Sequence, residues 1–301
     1  MISKAKKCGR VRKIFGDLKS DVLLTFGVSP DSADAILSAR QYKVPIVFVV
    51  AADAELRSAC SEGKAWCPGG RGSLARFCLE NADYVIAQTE TQRHMLTGAL
   101  PDREVRLIRN PIDLMAIPQR TSSDGSTAVI WVGRSDKHHK RPAICLELAT
   151  MLPSYSFLMI MNRECEEIYE DIVERAPRNV RVIERVSPTE MLQQLASAQL
   201  FISTSAAEEE GFPNVFLEAA LVGTAIVSLE ADPDGLLSEG PLGVCCQGDL
   251  YRMARTMESL LQDQHERKRL ANKAAEYVQM NHDLGSQVTK LYEFLASICV
   301  A

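Results

Sequence analysis

Residues Ser203–Ser228 read STSAAEEEGFPNVFLEAALVGTAIVS, and their punctuation decides the fold class. The run Leu200–Ser203 predicts a short buried strand. A loop follows and closes at Gly211-Phe212-Pro213, which places Pro213 near the first position of a helix, where its missing N–H costs no hydrogen bond. Gly223 falls where a left-handed C-terminal cap belongs, and a second strand follows at Ala225–Ser228. Strand, loop, capped helix and strand together describe a βαβ passage, the unit of a parallel sheet.

The same alternation extends outward. Strands are expected at Val22–Phe26, Pro45–Val50, Tyr84–Ala87, Val105–Ile108, Ala128–Val132, Ser156–Met161 and Val180–Ile183. Helices are expected at Ser32–Tyr42, Leu74–Asn81, Arg141–Leu152, Glu164–Glu174 and Glu190–Ala198, with Leu250–Asp263, His265–Asn281 and Leu284–Ile298 closing the chain. This is an α/β pattern with helices on both faces of parallel sheets. At 301 residues the chain suits two Rossmann-like lobes rather than one. The polar, turn-rich PQRTSSDGS at 118–126 is the best boundary, giving lobes of 1–117 and 118–301.

Bulk composition removes several function classes. Lys and Arg total 34 against 39 Asp and Glu, a net charge of −5, which argues against a nucleic-acid partner. Nine cysteines in irregular spacing, with no CxxC pair, suggest neither a disulfide framework nor a zinc site, and fit a reducing cytoplasm. No apolar run reaches the roughly 18 residues of a membrane span, and the N-terminus lacks the apolar core of a signal peptide. Charge is uneven, however: residues 1–20 carry seven basic side chains against Asp17 alone. There Val11, Ile14, Phe15 and Leu18 share one helical face, with Arg12, Lys13 and Lys19 opposite. Such a helix can lie peripherally on the inner face of an anionic membrane. It can equally pack on the following strand, and that reading is preferred because the strand follows at once.

Two stretches carry chemistry. In the first, the amides of Gly211, Asn214 and Val215 would face an anion at a helix start. Glu210 and Glu218 stand on either side of that start, and carboxylates can accept paired hydroxyls of a sugar or ribose. Taken singly, Glu210 is as well explained as a loop acid favouring a helix N-terminus, and Glu218 as a solvated helix face. Beside the Gly-Phe-Pro junction the binding reading is the better one. The second stretch, WVGRSDKHHKR at 131–141, ends a strand at Gly133 and presents Arg134 and Lys140. Two permanent cations at a strand's C-terminal end suit a diphosphate. A basic surface loop is the bland alternative, and zinc at His138–His139 is weak because neighbouring histidines rarely reach one ion.

Together these stretches resemble glycosyltransferase family 4, the retaining enzymes of GT-B fold. The E-x7-E pattern is Glu210 and Glu218, and the GR-x5-K pattern is Gly133-Arg134 with Lys140. The segment IRNPID at 108–113 is similar to that family's interlobe segment. The resemblance implies Arg134 and Lys140 on the donor diphosphate, Glu210 on the donor sugar and Glu218 on the ribose. Gly133, Gly211, Phe212, Pro213, Asn214 and Val215 would line the pocket, and Val186 and Ser187 would sit by the base. Glu210, Arg134 and Lys140 would carry catalysis, with no cofactor and no dedicated metal.

The implied reaction moves a hexosyl group from a nucleoside diphosphate sugar to a glycan or lipid-linked acceptor in polysaccharide biosynthesis. Against that pattern, the chain opens with SKAKKCGRVRK and lacks the family's first strands and glycine turn, and Asp53 stands near the place where a histidine is often found. The expected first lobe is thus truncated, with an open sheet edge that a partner chain or a homo-oligomer would cover. The alternatives are a non-catalytic nucleotide-sugar binder and, further off, a sugar-nucleotide epimerase.

Overall fold

The structure, a computed structural model, describes Phe15, Asp17 and residues 19–60, 71–115 and 127–300. Val11, Ile14 and Leu18 of the basic amphipathic stretch, and the boundary segment at 118–126, lie outside the described residues. Phe15 stacks on Tyr42 at 6.3 Å between centroids and packs against the first unit's core, as the core reading expects.

Two compact units are present. The first extends to Asn110 and regains the chain from Gly285; the second is Pro111–Leu284. This differs from the expected division after residue 117 at both ends. The chain changes units earlier, and its last helix belongs to the first unit.

In the first unit, β1 (Leu23–Phe26), β2 (Ile46–Val49), β3 (Tyr84–Ala87) and β4 (Val105–Leu107) form a parallel sheet in chain order. Strand residues alternate between its faces. Ile46, Phe48, Val50 and Val85 meet α1 (Pro30–Tyr42), α2 (Asp53–Cys60), α3 (Arg71–Asn81) and α4 (Glu90–Ala99) through Ile36, Leu56, Cys78 and Leu96. Val47, Val49 and Ile86 meet Phe294 and Ile298 of the last helix, α11 (Leu284–Val300). Burial of that second sheet face is the reason α11 leaves the second lobe.

The second unit holds β5 (Val129–Arg134), α5 (Pro142–Met151), β6 (Phe157–Asn162), α6 (Glu166–Arg175), β7 (Val180–Ile183), α7 (Pro188–Ser197) and β8 (Leu200–Ser203). It continues with α8 (Asn214–Leu221), β9 (Ala225–Ser228), β10 (Val244–Cys245), α9 (Leu250–Gln262) and α10 (Gln264–Asn281). The sheet is parallel, in the order β10-β9-β8-β5-β6-β7. Both faces are buried, which is why β8 and β9 read as continuous apolar runs. Val129, Trp131, Met159, Leu200 and Ile202 face α5, α6 and α9. Ile130, Leu158, Ile160 and Phe201 face α7, α8 and α10.

Every expected strand is found. The pattern did not suggest α2, α4 or the two-residue β10. Among the described residues no helix is long and apolar enough to cross a membrane.

Candidate active site

The chain runs outward from β5 through β6 to β7, then returns to lay β8 on the other side of β5. Connections leaving the C-terminal ends of β5 and β8 therefore diverge, and in a parallel sheet this reversal opens a crevice. Both stretches singled out in the sequence end there.

The floor is set by packing. Gly133 is required because an added Cβ would come within 2.6 Å of the Trp131 ring. The same indole donates from Nε1 to Thr204 Oγ1 at 2.8 Å, and Thr204 Oγ1 donates to the Lys140 carbonyl at 2.6 Å. Arg141, with φ at 50°, donates from Nε to the Thr204 carbonyl at 2.6 Å and from Nη1 to Glu230 at 2.7 Å. The β5 and β8 loops are thereby stitched together. Asp136 shapes the turn that follows β5: its Oδ1 accepts the backbone N–H groups of His138 and His139, both at 2.8 Å. Burial raises the Asp136 pKa, but those amides and the charge of Arg134 outweigh it, so the group is held below its ordinary value.

Charge gathers at Glu210, which is only 8% exposed. Its Oε1 is clamped by Lys140 Nζ and lies 2.9 Å from His139 Nε2, a close polar contact set off the ideal hydrogen-bond line. Lys140 Nζ also donates to Ser205 Oγ at 3.3 Å. Burial alone would raise the carboxyl's pKa; His139 and Lys140 overcome it and hold the group down at about 2. Glu210 is therefore a fixed anion. Its Oε2 has no hydrogen-bond partner among the described residues, so it offers a ligand one open oxygen rather than a two-oxygen grip. Arg134 joins the cluster through His139: Nη2 sits 2.9 Å from His139 Nδ1, and its Nε lies 3.1 Å from Glu164.

Arg134, Lys140 and Glu210 are thus brought into one network. Glu218 lies on α8, half-buried, with no ion pair or hydrogen bond to its carboxylate among the described residues, and burial raises its pKa. Gly211, Phe212 and Pro213 are buried, Val215 is half-buried and Asn214 is exposed. Pro213 is the N-cap, extended at φ −65° and ψ 122°, so the helix starts one residue later than its proline suggested. Phe212 rests on the His282 ring at 4.7 Å between centroids. Gly223 has φ 74°, the left-handed cap the sequence called for. Val186 packs on the apolar core, and Ser187 caps α7 in a reciprocal capping box with Glu190. No contact among the described residues joins either of them to the Arg134–Glu210 network.

Sequence reading gave no role to Asp136, Ser205, Glu164 or Glu230. A signal existed for Asp136, since an aspartate two residues ahead of exposed amides is the pattern of an Asx turn. Among the described residues no group of three or more His, Cys, Asp or Glu is placed to hold a metal ion.

Residues 126–263 match the family described as glycosyl transferases group 1. No curated protein matches the chain by sequence. Among solved structures it is similar to Alr3699/HepE of Anabaena in complex with UDP and glucose, with TM-score 0.77 and 17% identity over 96% of this chain and 81% of that one. Sucrose-phosphate synthase of Thermosynechococcus elongatus gives TM-score 0.79 and 15% identity over 98% and 77%. A mutant of S. aureus TarM, in complex with fondaparinux, alpha-GlcNAc-glycerol and UDP, gives 0.74 and 16% over 96% of this chain, which spans only 58% of that protein. The chain thus has the two-parallel-sheet α/β fold of GT-B glycosyltransferases, with its group 1 glycosyltransferase match lying over the second unit.

Proposed function

We propose that the crevice between β5 and β8 binds a nucleoside diphosphate sugar, and that the chain transfers its glycosyl group with retention to a glycan or lipid-linked acceptor on the cytoplasmic side, in polysaccharide biosynthesis. One observation carries the reading. A buried carboxylate fixed as an anion, two cations and a second, unpaired carboxylate on the adjoining helix all lie on loops and a helix that follow β5 and β8.

The division of labour follows from the charges. As the bond from the sugar's anomeric carbon to the diphosphate breaks, the leaving group takes the electron pair and gains negative charge. Arg134 and Lys140 neutralise it. Glu210 Oε2 accepts a hydroxyl of the transferred sugar. Glu218, with both oxygens uncommitted, suits the paired hydroxyls of a ribose, and a bound diol would offset the cost of its burial.

Calorimetry with UDP, GDP and ADP and their glucose conjugates tests the reading. UDP is the first choice because two of the structural relatives hold it. Glu218→Gln should weaken nucleotide binding by about tenfold, the loss of one or two charge-assisted hydrogen bonds. It should also raise thermal stability, since it removes a carboxylate that burial disfavours. Nucleotide affinity unchanged in that variant would remove the ribose assignment. A chain that binds donor but neither transfers nor hydrolyses it would instead be a nucleotide-sugar binder without catalysis.

A further inference from the structure

His139 occupies a position that the donor-site reading does not use. Its half-buried ring lies between a cation and an anion, with Nδ1 2.9 Å from Arg134 Nη2 and Nε2 2.9 Å from Glu210 Oε1. A guanidinium has donors only. Nδ1 must therefore present its lone pair to Arg134, which leaves the proton on Nε2, facing the carboxylate. The turn that aims the ring is itself fixed. The His139 N–H is held by Asp136 Oδ1 at 2.8 Å, and the His139 carbonyl accepts the Ala206 N–H at 2.9 Å. Backbone bonds therefore anchor His139 to its own loop and to the loop that leads to Glu210, fixing the point from which the imidazole reaches Arg134 and Glu210.

We infer that His139 is a positioning residue, held as the Nε2–H tautomer, that ties the phosphate-side cation Arg134 to the sugar-side anion Glu210 and leaves Glu210 Oε2 as the oxygen that reads the donor sugar. The inference rests on the donor-site reading above. Lys140 also occupies Oε1, but an ammonium on a flexible stem fixes charge rather than direction. The imidazole is the more constrained partner, because its residue is held by backbone bonds at both N–H and carbonyl. Displacing it frees the carboxylate to rotate, and the sugar then loses its partner while the nucleotide keeps its own.

Two readouts test this. In protein labelled with 15N-histidine, the His139 ring, identified by its loss in His139→Gln, should show a protonated Nε2 and a bare Nδ1; a protonated Nδ1 overturns the inference without any ligand. The second readout is the ratio of Kd for the nucleoside diphosphate to Kd for its glucose conjugate, measured with whichever of UDP, GDP and ADP binds tightest. His139→Asn keeps an acceptor near Arg134 but loses the donor to Glu210, and should cut the ratio by about tenfold. His139→Gln can place an amide N–H near Nε2, and should hold the ratio within about twofold of wild type, by the same conversion of hydrogen-bond energy to affinity. Glu210→Ala separates the layers. If it collapses the ratio while both His139 variants leave it intact, the positioning role is wrong and the donor site stands. If no nucleotide binds the wild type, or Glu210→Ala changes nothing, the donor-site reading fails and takes this inference with it.

Discussion

The first unit's sheet runs β1-β2-β3-β4 in chain order, whereas the second doubles back at β5. Polar groups lie at the C-terminal strand ends of both, but they do different work. In the first unit, Glu55 accepts the N–H groups of Val28 at 2.7 Å and Ala51 at 3.0 Å, and Asp53 accepts from Gln92 Nε2 at 2.9 Å. These acids fasten loops. In the second unit Asp136 does the same, but Arg134, Lys140 and Glu210 gather around His139 at the reversal, so charge accumulates there. The central strands β2 and β3 are as apolar and nearly as buried as β8 and β9. What differs is the place at which the chain turns back, and that decides where a ligand can be held.

The largest test of this contrast compares a carboxylate at the reversal with one on the first unit's surface. Glu210→Ala leaves the half-buried Lys140 and His139 without their anion, and should cost about 3 kcal/mol in urea unfolding. Glu80 pairs with Arg76 at 2.6 Å, with both side chains about half exposed at 51% and 54%. Glu80→Ala should cost no more than about 0.5 kcal/mol. Similar losses would mean that the Glu210 cluster is ordinary surface charge and that the two units do not differ in kind.

The pH dependence should follow the same asymmetry. Glu210 has a folded pKa of about 2 against an ordinary value of 4.5. Below both values the two states bind the proton alike. Its contribution is complete above about pH 4.5 and is withdrawn as pH falls towards about 2, a loss on the order of 3 kcal/mol. Asp136, held below 3.8, acts in the same direction. Melting curves across that window should flatten in Glu210→Gln, and a wild-type slope that survives the substitution would place the acid sensitivity elsewhere.

How much of this was legible beforehand depends on range. Strands such as Val129–Arg134 and Leu200–Ser203 are written in local apolar runs, and Gly223 announces its own left-handed conformation. Helix α4 escaped because ETQRHMLTGA buries only Gln92 and Leu96, too few for a visible stripe. A capping signal was nevertheless present, since Thr89 accepts the Gln92 N–H at 3.1 Å. In the site, Arg134, Lys140 and Glu210 could be nominated by residue type and spacing. The role of His139 could not, because it depends on β8 lying beside β5 and on a ring whose two nitrogens meet partners from different loops. Likewise, α11 joins the first unit through Phe294 and Ile298, a contact that no local pattern encodes.

The smallest effects separate a glycine demanded by packing from one that is not. At Gly133 the added methyl would strike the Trp131 ring at 2.6 Å, and Trp131 is also the donor that holds Thr204 and hence the Lys140 turn. Gly133→Ala should therefore cost about 1–3 kcal/mol as the indole is pushed from its place, and weaken nucleotide binding along with it. Gly98 lies near the end of α4 in the first unit, exposed and with nothing within 4 Å of the place a methyl would take. Gly98→Ala should stabilise by up to about 1 kcal/mol, because alanine gives up less backbone entropy in a helix. Paired thermal melts and nucleotide titrations on the two variants decide the matter. If Gly133→Ala melts like Gly98→Ala and binds nucleotide as the wild type does, the stitch from Trp131 through Thr204 to Lys140 does not shape the site, and the reversal at β5 acts through its loops alone.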